Sequence, residues 1–195
     1  MKHIIRLTFV LTLMMLMASM ASVTLASPIM PVMDRYSFFV AASTFGGGDI
    51  EGWELEKHNG MGMGATIPIN SYINGGIRFG SDDYSDHNFA LQLSVLPKED
   101  SYLYRVDFNR FGSDGSITHI GVYRDFPGDE MFSLCGGGGI SFVSMKGAPE
   151  KPYISMFVEL QGRVQFGDAF FGYSGISYDY HLGATSLEAG FGMTL

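Results

Sequence analysis

The stretch Ile154–Phe166 reads ISMFVELQGRVQF and sorts into two faces. One parity carries Ile154, Met156, Val158, Leu160, Val164 and Phe166. The other carries Ser155, Phe157, Glu159, Gln161, Arg163 and Gln165. Side chains along a strand alternate between faces, so this period of two predicts a β-strand with one apolar and one mixed face. The pattern recurs along the chain. Tyr102, Tyr104, Val106 and Phe108 oppose Leu103, Arg105, Asp107 and Asn109. Leu187, Ala189, Phe191, Met193 and Leu195 oppose Glu188, Gly190, Gly192 and Thr194. Phe89, Leu91, Leu93 and Val95 form another apolar parity, and Met61, Met63, Ala65, Ile67 and Ile69 stand against Gly60, Gly62, Gly64 and Thr66.

The second face decides the class. In a soluble sandwich the polar face meets water and is rich in lysine, threonine and serine. Here it mixes glycine with isolated opposite charges, which suits a narrow, filled lumen, while the apolar parity runs at the length a tilted membrane strand needs. The expected fold is all-β: a transmembrane antiparallel up-and-down β-barrel. Ten strands are counted, at about 34–46, 51–69, 72–81, 88–97, 101–111, 116–126, 130–145, 152–166, 168–178 and 185–195. Eight would result if two weak segments, such as 72–81 and 116–126, were miscounted. Alternate connections are tight, at Asn70-Ser71, Pro97 to Asp100, Pro127 to Asp129 and Gly167-Asp168. The others are more polar and variable: Gly46 to Asp49, Ser81 to His87, Gly112 to Ser116, Lys146 to Pro152 and Asp179 to Ala184. Short turns on one side and longer loops on the other are the outer-membrane pattern.

The first residues read as an export signal. Lys2, His3 and Arg6 form a basic start, Ile4 to Met17 is an apolar core broken only by Arg6, Thr8 and Thr12, and small residues follow, with cleavage expected after Ala26 or, alternatively, after Ala21. Residues 27–195 are then the barrel domain. No cysteine stands directly after the apolar core, which argues against a lipoprotein anchor, and Cys135 is the only cysteine, so no internal disulfide framework is expected. With Lys2 and Arg6 gone, 10 of the 12 basic residues face 20 acidic ones, a mature charge of −10. That balance argues against nucleic acid as a partner. Chain stability must come from packing and hydrogen bonding.

Leu187 to Leu195 is similar to the terminal strand signal of bacterial outer-membrane proteins, which alternates apolar residues and usually ends in an aromatic. This sequence ends in Leu195, with Phe191 as the aromatic. Over its mature length the chain resembles small outer-membrane β-barrel proteins of Gram-negative bacteria, with no specific family. The resemblance implies an outer-membrane location reached through the periplasm. It also implies lipid and lipopolysaccharide as surroundings, the barrel assembly machinery as a partner through Leu187 to Leu195, a monomer, and no cofactor or metal. Aromatic girdles are expected near strand ends at Tyr36, Trp53, Tyr72, Phe79, Phe89, Tyr102, Phe126, Phe132, Phe166 and Phe170.

The inward parity supplies the candidate site. Glu54, Glu56, His58, Arg78, Arg105, Asp107, His119, Asp125, Glu159, Arg163 and Glu188 are expected in the lumen. Charges in so narrow a space must pair or be hydrated. A salt-bridge network is expected, with Arg78, Arg105 and Arg163 each shared among carboxylates, and a water-filled path for small solutes is the functional alternative. Gly136 to Gly139 reads as a bend or bulge that helps the barrel close. Cys135 is expected to face the lumen or a packed wall and not to be catalytic.

Three functions follow from these features. The leading one is a non-enzymatic envelope barrel with surface loops, in a structural, adhesion-type or porin-like role. The second is a barrel hydrolase acting on lipid or peptide, with Asp83 and His87 in one loop (beside Asp82 and Asp86) and Asp179 and His181 in another, where a carboxylate near a histidine could activate water. Asp179-Tyr180-His181 is similar, over three residues and in a different loop, to the Asp-x-His element of omptin proteases, themselves ten-stranded barrels. No His-Ser dipeptide of the kind found in lipid A deacylase barrels occurs. The third is a soluble exported lipocalin-like binder.

Overall fold

The computed structural model describes residues 35–50, 53–83, 87–97, 101–126, 131–146 and 152–195. The signal segment expected at residues 1–26 lies outside them. Ten strands form the wall: β1 (Ser37–Phe45), β4 (His58–Asn70), β5 (Ile73–Asp82), β6 (Asn88–Val95), β7 (Tyr102–Phe111), β8 (Gly115–Phe126), β9 (Phe132–Met145), β10 (Tyr153–Phe166), β11 (Phe170–Asp179) and β12 (Ala184–Thr194). Each pairs antiparallel with its neighbours, and β1 closes the circle by pairing β4 on one side and β12 on the other, Ser37 lying opposite both Thr66 and Thr194. Closure leaves no strand edge with unpaired N–H and C=O groups. The segments 72–81 and 116–126 are full wall strands, so the count is ten.

The first long connection departs from expectation. The described residues of 46–57 do not extend the wall. They carry a small hairpin of β2 (Gly48–Ile50) and β3 (Trp53–Leu55), paired apart from the barrel sheet, and the wall resumes only at His58. Two backbone bonds, Gly46 N–H to Thr185 O (2.6 Å) and Asp49 N–H to Leu182 O (2.9 Å), tie this connection to β12 and the β11–β12 turn. Trp53 therefore belongs to the hairpin and not to a wall strand end.

Connections 71–72, 96–101, 127–131 and 167–169 share one end of the barrel with the start of β1, the turn end. Connections 46–57, 83–87, 112–114, 146–152 and 180–183 share the other, the loop end. The tightest turn has a local cause. Asn70 Oδ1 accepts the N–H groups of Tyr72 and Ile73 at 2.8 and 2.9 Å, so the side chain replaces missing ladder bonds. The β4–β5 register shifts just before it, between Pro68 and Asn70, where proline has no N–H to give the ladder.

The outward face is apolar and uncovered. Val40, Met63, Leu91, Ile120, Ile140 and Met156 are exposed at mid-wall. Tyr36, Tyr72, Tyr102, Phe126, Phe132 and Phe170 ring the turn end, and Phe79, Tyr178 and Tyr180 mark the loop end. Phe170 stacks on Phe191, with ring centroids 5.9 Å apart.

The inward face is filled by aromatic rings seated on glycines of the same or the adjacent strand. A Cβ at Gly64 would lie 2.5 Å from Phe39 Cζ, and one at Gly121 would lie 2.8 Å from the Tyr123 ring. Gly190 and Gly192 give the same clearance to Tyr173 and Phe171. Gly136 to Gly139 is neither bulge nor irregularity, because β9 pairs β8 and β10 through it without a shift in register. Gly137 faces inward and leaves room for Tyr123, with a Cβ there 2.8 Å from the ring, and at Gly137 and Gly139 any Cβ would strike the β8 backbone. The glycines thus let β8 and β9 approach closely and let the ring lie flat against the wall.

Candidate functional site

The lumen has three layers. At the turn end Phe39, Phe171 and Tyr173 form one buried cluster, with Phe39 and Tyr173 edge to face at 6.2 Å. Beside it Leu103, Tyr123 and Cys135 pack together, and Phe157 joins them from the loop-end side. At the loop end Phe45, Val143, Leu182 and Ala184 form an apolar collar with Ile117. Charged groups occupy the level between them.

There Arg105 and Asp107, two residues apart on β7 and so on one face, make an ion pair of 2.5 Å. Arg105 also lies over the Tyr123 ring, 5.6 Å from its centroid, and Tyr123 donates its hydroxyl to Glu159 across two strands at 3.0 Å. Arg78 is almost fully buried on β5. It donates from Nη2 to the amide oxygen of Asn109 at 3.2 Å, a side-chain amide where a carboxylate was expected. Its Nε and Nη1, together with Arg105 Nη1 and Glu188 Oε1, have no hydrogen-bond partner among the described residues. Arg163 sits lower, donating to Gln165 Oε1 at 3.1 Å with its guanidinium 4.3 Å from the Phe171 centroid.

The fold thus brings Arg78, Arg105, Asp107, Glu159 and Glu188 to one level of the lumen, with His119 beside Phe157 at a ring separation of 4.5 Å. Two expected members are corrected. Glu54 is in the hairpin and Glu56 follows it, and both are exposed outside the wall. Asp125 is exposed near the turn end, and His58 opens β4 with its side chain outside the described residues.

The loop candidates are not assembled. Asp179 ends β11 and is buried, with three hydrogen bonds on its carboxylate. Ser141 donates to Oδ2 at 2.6 Å, Leu182 N–H donates to Oδ1 at 3.0 Å, and the Ser155 hydroxyl also bonds Oδ1. His181 is exposed in the turn, its N–H bonded to Ser155 Oγ at 3.2 Å. This carboxylate organises the β11–β12 turn. Asp83 accepts the Asn59 N–H at 2.8 Å, and His87 is exposed in the same connection. That connection lies three strand intervals from the β11–β12 turn by way of β1 and β4, about 14 Å along the wall. The two Asp/His pairs therefore belong to separate places.

A cavity of about 90 Å³ runs from the charged level to the loop end. Its wall includes Arg78, Arg105, Glu159 and Glu188 below and Phe45 and Leu182 above. None of the turn-end aromatics borders it. The space is a cup that stops short of those rings, large enough for several waters.

A closed antiparallel barrel with an uncovered apolar outside and a polar inside defines a membrane-type β-barrel. No protein-family model matches the chain, and no curated protein matches it in sequence. Among solved structures the chain is similar to the N-terminal β-barrel domain of Pseudomonas aeruginosa OprF, at 10% identity and TM-score 0.40 over 82% of this chain and 97% of that one. It is also similar to the KdgM porin, at 10% identity and TM-score 0.46, covering 82% and 99%. For the outer-membrane protein OprG of Pseudomonas aeruginosa the values are 10%, 0.39, 83% and 95%.

Proposed function

We propose that this protein is an integral outer-membrane β-barrel with a closed lumen. Its role is non-enzymatic: a wall element of the envelope that presents its loop end outward. The observation that carries this reading is the pairing of an uncovered apolar wall with a plugged interior. Contiguous exposed apolar surface on this scale is not tolerated by a soluble monomer, but it is what hydrocarbon requires of a wall, with aromatic rings at the two headgroup levels. A lipocalin-like binder has the opposite polarity, with an apolar cavity and a wetted outside. Lipid and lipopolysaccharide are then the immediate surroundings, and the strand Leu187–Leu195 is the segment offered to the assembly machinery.

Within this class, the floor of Phe39, Phe171, Tyr173, Tyr123 and Leu103 favours a non-conducting barrel over a pore. The test is to refold residues 27–195 for gel migration and planar-bilayer recording, and to fractionate cells that express the full chain. Heat-modifiable migration and recovery with outer membranes are expected, together with planar bilayers that stay electrically silent. Recovery in the soluble periplasmic fraction would remove the membrane reading, and steady ohmic steps would remove the closed lumen.

A further inference from the structure

The cup has a chemistry beyond that of a filled lumen. Most charged groups along it are already satisfied. Asp107 holds Arg105 Nε, Glu159 holds the Tyr123 hydroxyl, and Asp179 is occupied by Ser141, Ser155 and the Leu182 N–H. Among the described residues that line the cavity, a short and complementary set remains unfilled; the Tyr173 hydroxyl, which does not line it, lies near Glu188 but leaves Oε1 without a hydrogen bond. Arg78 contributes two N–H positions, Nε and Nη1, and Arg105 contributes Nη1. Glu188 contributes one acceptor, Oε1. All three side chains are at least nine-tenths buried, and all three line the cavity.

Unsatisfied buried guanidinium N–H groups are costly, and their natural complement is a carboxylate, which matches the planar fork of arginine. A lone acceptor beside them calls for one donor. We propose that the cup binds a small α-amino or α-hydroxy acid, its carboxylate on Arg78 and Arg105 and its amino or hydroxyl group on Glu188. The volume limits the ligand to a few heavy atoms, since about 150 Å³ is what admits a benzene ring elsewhere. Phe45, Ile117, Phe157 and Leu182 line the loop-end side and would receive a short apolar side chain. The inference concerns the lumen alone. Whether the wall sits in lipid is tested separately, by membrane fractionation, so either reading can fail without the other.

The experiment is titration of the refolded, detergent-solubilised barrel with glycine, glycolate, acetate and methylammonium, followed by calorimetry and by NMR of ¹³C-labelled ligand. Glycine and glycolate should bind saturably, acetate at least about tenfold more weakly, and methylammonium not at all, the tenfold following from one lost hydrogen bond to a charged group. Glu188→Gln should abolish the advantage of glycine over acetate while acetate binding persists. Arg78→Gln should abolish carboxylate binding. If Arg78→Gln fails to show heat-modifiable migration, the ligand series and Glu188→Gln decide alone. Absence of saturable glycine and glycolate binding at millimolar concentration would overturn the proposal, as would equal affinity for acetate and glycolate or an unchanged preference in Glu188→Gln.

Discussion

Removing the floor of the lumen should cost stability and open a path in the same variant. Phe171 and Tyr173 are 1% and 3% exposed, with ring centroids 6.1 Å apart, and each lies over a glycine of β12. Such rings bury about 150–250 Å² each. At about 25 cal/mol per Å² that is roughly 4–6 kcal/mol per ring as an upper bound. Phe171→Ala should therefore lower unfolding stability by about 3–5 kcal/mol, the range for aromatic truncation in packed cores. Arg163 loses the face it rests on in the same step. The double variant Phe171→Ala/Tyr173→Ala should lose less than the sum, because the two rings share one cluster. With only Phe39 left of that cluster, the cup should connect to the turn end and pass small ions. Urea unfolding of the detergent-solubilised barrel gives the first quantity and planar-bilayer conductance the second. The reasoning is refuted if Phe171→Ala unfolds within about 1 kcal/mol of the parent protein, or if the parent conducts as freely as the double variant.

The other predictions use the same assays. Gly190→Val places atoms where the Tyr173 ring lies, and overpacking should destabilise by about 1–3 kcal/mol, with loss of near-ultraviolet tyrosine dichroism. Asp107→Asn leaves Arg105 buried without its ion pair, and a loss of about 3–5 kcal/mol is expected by denaturant titration, while Asp107→Asn with Arg105→Gln should recover part of it. Asp179→Ala strands the Ser141 and Ser155 hydroxyls and the Leu182 N–H, each costing about 1–3 kcal/mol. Limited proteolysis should then cut at 180–183 while the wall stays intact. His181→Ala, by contrast, should leave stability unchanged within about 0.5 kcal/mol, since only the backbone of that residue is engaged.

The wall was legible because membrane strands repeat one simple rule over many residues. Ile154–Phe166 and Leu187–Leu195 show it without help from the structure. The same rule misled at residues 51–57, where Trp53 and Leu55 alternate with Glu54 and Glu56. A three-residue hairpin strand has the same period as a wall strand, and so two exposed glutamates were assigned to the lumen. The sequence marks the glycines as inward-facing or as a bend but not as seats for rings, because Gly190 meets Tyr173 only through the β11–β12 register. The Ser141–Asp179–Ser155 cluster was invisible for a related reason. Each residue is ordinary on its own strand, and pairing of β9, β10 and β11 is what joins them. The charged level was partly legible, since inward parity marks Arg78, Arg105 and Glu188. Which of their atoms stay unpaired depends on distances that parity does not encode.

The central claim is that the outward face lies in hydrocarbon. It is tested most directly by placing a single tryptophan at Val106 or at Ile120, both exposed on the mid-wall, in a Trp53→Phe background. The refolded variants are then reconstituted into vesicles with brominated lipids. Blue-shifted emission, strongly quenched by bromines deep in the acyl chains, is the predicted result at both positions. Red-shifted emission that the lipids leave unquenched, with the barrel folded, would contradict it.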